Sequence, residues 1–364
     1  MRVLITGANG FVGKNLQVRL RELGDVEIDC FVNGDSIAAL EEKVEHADFI
    51  FHLAGVNRPR NESEFETGNF ELTRSLCCAI EKARRRPGVI YTSSAQAELD
   101  NAYGNSKLAA ECALLDLQTR TGTPVQIYRL PNIFGKWCRP NYNSAVATFC
   151  YNISHDLPIQ VNNRDTILSL LYIDDLVSTM ISAMRSGTFT EVGPVYQIAL
   201  GTLVDHLYAF KESRNNLTME AVGGGLMRAL YSSYISYFEP SQFAYPLVQH
   251  ADARGSFVEM LKTKDAGQFS FFTAHPGVTR GGHYHHSKTE KFLVLKGQAR
   301  FRFRHILTDA TYELSTSDAM PEVVETIPGW SHDITNTGSD QMIVMLWANE
   351  VFDRQNPDTV ASKV

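Results

Sequence analysis

The stretch VLITGANGFVGKNL, residues 3–16, decides the fold. An apolar strand run ends in glycines spaced G-x-x-G-x-x-G (Gly7, Gly10, Gly13), and the helix-patterned KNLQVRLRELG (14–24) follows at once. Glycines there let the backbone turn tightly and approach a pyrophosphate, while the helix N-terminus offers free N–H groups and the positive end of its dipole. A glycine triplet alone is weak evidence, but this one stands in the required strand–loop–helix context.

Outward from that loop the pattern repeats. The runs FIFHLAG (49–55), VIYTSS (89–94) and VQIYRL (125–130) alternate with longer segments of helical period, one of them SKLAAECALLDLQTRTG (106–122). Such alternation predicts a doubly wound, Rossmann-like α/β domain, a parallel sheet with helices on both faces. After about residue 250 short alternating runs dominate. In ARFRFRH (299–305), Phe301 and Phe303 face one way and Arg300, Arg302 and Arg304 the other, as in a half-buried antiparallel strand. That predicts an all-β sandwich or small barrel. The boundary is placed near 245, giving domains 1–245 and 246–364.

Composition sets limits. The 364 residues carry a net charge of −7, with 44% hydrophobic and 21% charged residues, an ordinary globular balance that argues against nucleic acid as the main partner. No apolar run is long enough to span a bilayer, so no membrane partner is expected. The six cysteines, Cys30, Cys77, Cys78, Cys112, Cys138 and Cys150, show no CxxC spacing and read as reduced thiols in a cytoplasmic protein.

Two constellations carry chemistry. In YGNSK, Tyr103 and Lys107 stand at i and i+4, on one face of a helix. A lysine beside a phenol favours the phenolate and lowers its pKa from about 10, which makes Tyr103 a candidate general acid for a carbonyl oxygen receiving hydride. Ser93 or Ser94 can hydrogen-bond the same oxygen. The second constellation is GGHYHHSKTEKF (281–292) with IPGWSHDITN (327–336). His283 and His285 are two apart on a strand and share a face, Glu290 follows a turn, and His332 comes from a second element. Three imidazoles and a carboxylate suit a transition metal. His286 points to the other face and is left out of the set.

The motifs TGANGFVG, HLAG (52–55), the serine pair, YGNSK, RLPNIFG (129–135) and YIDD (172–175) stand in the order that resembles the extended short-chain dehydrogenase/reductases acting on nucleotide sugars. The resemblance implies a cofactor site of Gly7, Gly10, Phe11, Val12, Gly13, Leu53, Ala54 and Gly55. It makes Tyr103 the proton donor, has Lys107 bind the nicotinamide ribose and Ser94 polarise the carbonyl, and puts Asn132 near the sugar nucleotide. Ser94 precedes Tyr103 by only nine positions, so Ser93 and Thr92 stay open for that role. The second strand ends at Asn33 without an acid for the adenosine ribose, which leans the cofactor toward NADPH.

The spacing G277-x5-H283-x-H285-x4-E290-x6-G297 resembles the first motif of the cupins, small β-barrels that use these positions as metal ligands. The second motif is looser, with Gly329, His332 and Asn336 in place but Pro328 one position late. Nearly end to end, the chain resembles a family of bifunctional UDP-2-acetamido-2,6-dideoxy-hexulose 3-epimerase/4-reductases, in which a reductase half is fused to a cupin half. That resemblance implies a UDP-sugar substrate, NADPH, zinc and a homodimer. A reductase whose β half serves only for dimerisation or docking is the alternative.

Overall fold

The computed structural model describes residues 1–252, 255–258, 260–264, 267–355 and 357–364. In the first half β1 (Arg2–Thr6), β2 (Glu27–Phe31), β3 (Phe49–His52), β4 (Gly88–Ser94) and β5 (Val125–Leu130) form one parallel sheet in the order β2-β1-β3-β4-β5. Because strand side chains alternate, both faces are apolar. Leu4, Ile50, Val89 and Tyr91 join a core with Leu40, Leu76, Ile80 and Leu114 of the helices Ile37–His46, Leu72–Lys82 and Ala102–Thr121. Val3, Ile5, Phe51 and Ile90, the alternate positions, are equally buried, and α1 (Phe11–Leu23) packs with the helix Ile173–Ser186. The sheet order reverses between β1 and β3, and ligands of open α/β sheets bind at such a switch point. The strands Asn132–Phe134, Ile167–Tyr172 and Val195–Ala199 make a second, three-stranded sheet.

The C-terminal half is antiparallel. One five-stranded sheet contains Glu290–Lys296 between Glu322–Glu325 and Met342–Ala348; the other contains Trp330–Asn336 between Gln298–His305 and Thr279–Tyr284. Inward aromatics join the two, with the Phe292 and Phe301 rings 5.7 Å apart. Arg300, Arg302 and Arg304 alternate with the buried Phe301 and Phe303, as the ARFRFRH pattern requires.

The chain divides into two compact units, 1–144 with 168–198, and 145–167 with 199–364. The boundary drawn at 245 from composition therefore falls inside the second unit. Glu325, fully buried, shows why. Its carboxylate accepts from Lys291 Nζ (2.8 Å), Arg214 (2.9 Å) and the Tyr231 hydroxyl. Arg214 and Tyr231 belong to the helices Leu200–Asn216 and Gly225–Ile235, so burying one carboxylate ties both helices to the strands. The surrounding cations, Lys291 first, outweigh burial and hold Glu325 down at about 2. Among the described residues no helix is long and apolar enough to cross a membrane, and the six cysteines are all free thiols.

Candidate functional site

In the first unit the glycine loop sits at the sheet's switch point. Gly7 has φ +70° and lies so close to the loop after β3 that an added Cβ would stand 2.7 Å from Ala54 N. Gly13, in the first turn of α1, would meet the Ala8 and Gly7 carbonyls at 2.6 Å. These glycines therefore close the loop onto Leu53–Gly55 and leave the N-terminus of α1, with Gly10, Phe11 and Val12, open beside it. The cradle fits a dinucleotide pyrophosphate: it has backbone donors, no acidic residue in the first turn, and no room for side chains. After β2, Asn33 stands in a turn whose Asp35 carboxylate is taken up by the Val32 N–H at 3.0 Å.

Tyr103 lies in the first turn of Ala102–Thr121. Asn101 caps that helix by accepting from Gly104 N–H at 2.8 Å. Gly104 is required because a Cβ there would strike the Gln96 carbonyl oxygen at 2.2 Å and that of Leu99 at 2.5 Å. The helix start thus docks against the short turn Ala95–Glu98 and brings Tyr103 beside Ser94, whose hydrogen bond favours the phenolate. Of the candidates for the carbonyl-polarising role, Ser93 is engaged elsewhere, donating to Glu111, which Arg129 also grips (NH2–Oε2 2.6 Å). Thr92 Oγ1 reaches back to the His52 carbonyl oxygen at 3.5 Å.

Lys107 departs from the expectation. Its Nζ donates to the Thr92 carbonyl at 3.0 Å and lies 4.8 Å from the centre of the Tyr91 ring. Burial raises the Tyr103 pKa, with only Ser94 opposing, so the lowering expected from the Tyr/Lys spacing is not seen. The lysine itself is pushed down to about 8 by burial, with Glu111 opposing. Gly55 completes this corner: a Cβ there would come within 3.2 Å of Lys107 Nζ and 2.9 Å of Asn69 Oδ1.

Asn69 went unnoticed in the sequence. Buried in the π-helical turn Glu66–Glu71, it accepts from Val56 N–H (2.7 Å), and its amide donates to the Val56 carbonyl (3.0 Å) and the Ser106 hydroxyl (2.9 Å). No residue periodicity announces a π turn. His52 has a structural place, buried between the Thr6 and Thr73 hydroxyls (2.7 and 2.8 Å) and pushed down to about 3 by burial. Asn132 begins its strand exposed and makes no hydrogen bond to Ser94, Tyr103 or Lys107 among the described residues.

In the second unit His283, His285, Glu290 and His332 converge, each offering a ligand atom within 4.8 Å of the others. The backbone explains how. Gly281 (φ +102°) and Gly282 (φ +77°) form a bulge that sets His283 directly opposite His332, with ring centres 4.6 Å apart. A Cβ on Gly281 would strike the His332 carbonyl oxygen at 2.8 Å. Glu290 enters from the other sheet, with Oε2 3.1 Å from His285 Nε2 and 3.7 Å from His332 Nε2.

Burial, His332 and His285 push His283 down to about 3, and burial lowers His332. Glu290 stays ionised despite burial because His285 and His332 favour its charged form. Both ring nitrogens of buried His332 lack a hydrogen-bond partner among the described residues. The 3.1 and 3.7 Å separations around Glu290, within a set of ligand atoms no wider than 4.8 Å, would suit a divalent ion. His286 is not in the cluster, as its place on the other face implies. Asn336 is structural, its amide donating to the Ala274 and Asp340 carbonyls.

A glycine cradle at the switch point and a Ser–Tyr pair beside it define a dinucleotide-dependent fold. The chain belongs to the NAD dependent epimerase/dehydratase family, which it matches over residues 3–199. Residues 250–360 match the polysaccharide biosynthesis C-terminal domain. The chain is 58% identical to UDP-2-acetamido-2,6-beta-L-arabino-hexul-4-ose reductase of Pseudomonas aeruginosa, over 100% of this chain and 99% of that protein. Among solved structures it is similar to the capsular polysaccharide assembling protein CapF from Staphylococcus aureus, with TM-score 0.70, 43% identity and full coverage of both chains. UDP-glucuronic acid 4-epimerase from Bacillus cereus shares the fold over 58% of this chain and 83% of its own, with TM-score 0.53 and 17% identity.

Proposed function

We propose that the chain is a bifunctional nucleotide-sugar enzyme of polysaccharide biosynthesis. Its C-terminal half, a cupin, epimerises C3 of a UDP-2-acetamido-2,6-dideoxy-4-hexulose. Its N-terminal half reduces the C4 ketone, toward UDP-N-acetyl-L-fucosamine for capsule or O-antigen. The observation that carries the reading is the end-to-end likeness to a UDP-hexul-4-ose reductase, on a chain whose own residues pair Ser94 with Tyr103 and gather three histidines around Glu290.

In the reductase half, Gly7, Gly10, Phe11, Val12 and Gly13 hold the pyrophosphate with Leu53, Ala54 and Gly55, and Lys107 binds the nicotinamide ribose. Bound NADPH supplies the hydride. Ser94 donates to the ketone oxygen, Tyr103 delivers the proton that oxygen needs, and Asn132 orients the sugar nucleotide. In the other half His283, His285, Glu290 and His332 would hold a zinc ion, whose Lewis acidity would make the C–H beside a ketone easier to deprotonate. Order follows from chemistry: reduction destroys the carbonyl that acidifies the C–H, so epimerisation comes first. The chain works as a cytoplasmic homodimer.

The two halves are separable by variants. His283→Ala should abolish exchange of the C3 hydrogen with solvent and leave much of the hydride transfer, and Tyr103→Phe should do the reverse. Hydride transfer without any exchange in the wild type would favour a β half that only docks or dimerises.

A further inference from the structure

The end of the chain returns to the histidine cluster. Residues 286–288 form a connection without regular structure, yet His286, Ser287 and Lys288 are each only 6% exposed. Buried backbone N–H groups in such a loop need partners, and one side chain provides all three. Asp358 Oδ1 accepts from His286 N–H at 2.8 Å, and Oδ2 accepts from Ser287 N–H and Lys288 N–H at 2.7 Å each and from Ser287 Oγ at 3.1 Å. Hydrogen bonds to an ionised carboxylate are the strong kind.

The same residue touches the cluster directly. The Asp358 carbonyl accepts from His285 Nδ1 at 2.5 Å. The next residues continue the contact. Thr359 Oγ1 accepts from Lys288 Nζ at 2.8 Å, and Val360–Ala361 pairs with His283–Tyr284. Ser362 N–H donates to the Gly282 carbonyl at 2.8 Å, and the Ser362 carbonyl accepts from Ser331 Oγ at 2.5 Å, next to His332.

We propose that Asp358 is a positioning residue for a divalent metal at His283, His285, Glu290 and His332, setting both the path of the 286–288 loop and the ring orientation of His285. The inference rests on the metal-site reading above. A carbonyl can only accept, so Nδ1 carries the His285 hydrogen and Nε2 is the nitrogen turned to the ion. The carboxylate fixes where residue 285 leaves its strand and where 290 begins the next, so it sets the separation of two ligands five residues apart. Residues 358–362 thereby complete a site whose ligands all lie before residue 333.

The test measures zinc(II) affinity of the full-length chain by competition with a chromophoric chelator, with the melting temperature of the metal-free protein alongside. Asp358→Ala should weaken zinc binding about 10- to 100-fold, and Asp358→Asn, which keeps one acceptor oxygen, should fall between it and wild type. Cobalt(II)-loaded Asp358→Ala should show altered visible bands. A wild-type zinc affinity and an unchanged cobalt spectrum in Asp358→Ala, with only a lowered melting temperature, would overturn the inference. If Asp358→Ala does not fold, wild-type zinc affinity in Asp358→Asn overturns it equally. Failure of the wild type to bind zinc at one ion per chain would overturn the metal-site reading, and this inference with it.

Discussion

Nε2 of His285 lies 3.1 Å from Oε2 of Glu290, while Nδ1 of the same ring donates to a backbone carbonyl. With its hydrogen on Nδ1, the ring turns Nε2 to that carboxylate oxygen. Two acceptors at that distance need a cation or a shared proton between them. With both nitrogens of buried His332 lacking a hydrogen-bond partner among the described residues and its Nε2 3.7 Å from the same carboxylate, the four side chains make sense as a unit around positive charge. If the proposed site takes zinc, Glu290→Gln and His332→Ala should each bring its zinc binding to near zero. Reduction of a keto-sugar nucleotide should persist. Elemental analysis of dialysed protein and a reductase assay check the two halves of the statement.

The two neighbouring serines should behave differently. Tyr103→Phe removes the proton donor and should lower the reduction rate about 10²- to 10⁴-fold. Ser94→Ala should also act on rate, because Ser94 is the serine beside the phenol. Ser93→Ala should instead act on stability, since that hydroxyl donates to buried Glu111. Single-turnover rates set against denaturant midpoints separate the two effects.

Gly104 is a structural requirement of the same site. In Gly104→Ala the new methyl would overlap the Gln96 and Leu99 carbonyl oxygens, so the helix start must move away from the turn at 95–98. A loss of more than about 2 kcal/mol is expected, as is usual when a close backbone contact is broken. Reduction should slow as Tyr103 separates from Ser94. Urea unfolding with parallel kinetics measures both.

Lys107 gives a pH signature. Its pKa is about 8 in the folded chain, against 10.5 for the ordinary side chain. Between those values the unfolded state holds a proton that the folded state has shed. Stability therefore rises with pH across that window, by this group's contribution. The stability of wild type minus that of Lys107→Met should climb from pH 8 to 10. For reduction the sign is opposite: if charged Lys107 is the working form, kcat/KM of the free enzyme should fall through one ionisation near pH 8. Lys107→Arg should not show that ionisation.

Glu325 tests how the second unit is built. Glu325→Leu would leave Lys291 and Arg214 buried without their carboxylate, and breaking a buried ion pair from one side costs about 3–5 kcal/mol. The helices at 200–216 and 225–235 should lose protection in hydrogen exchange along with the strands, because they share that carboxylate.

Local pattern carried most of the architecture. The strand–helix alternation, the glycine loop, the YGNSK helix and the ARFRFRH strand are all short-range signals, and each lies where its periodicity places it. The four clustered residues were legible as well, because cluster and motif share the same spacing. The packing of residues 199–245 with the C-terminal strands was not. It depends on Arg214, Tyr231 and Lys291 meeting one glutamate, and no local pattern records a contact between residues 111 positions apart. Asn69 was hidden in a π turn and Asp358 in an unpatterned tail. The Gly281–Gly282 pair was a readable bulge signal that the histidines beside it overshadowed.

The central claim is that one chain inverts a carbon beside a ketone and then reduces that ketone. Mass spectrometry of a UDP-2-acetamido-2,6-dideoxy-4-hexulose incubated with the wild-type protein in D₂O, without nicotinamide cofactor, tests it most directly. The account predicts one deuterium at C3, lost when His283 and His285 are both replaced by alanine. No incorporation by the wild type, or incorporation that survives the double replacement and removal of bound metal, would contradict it.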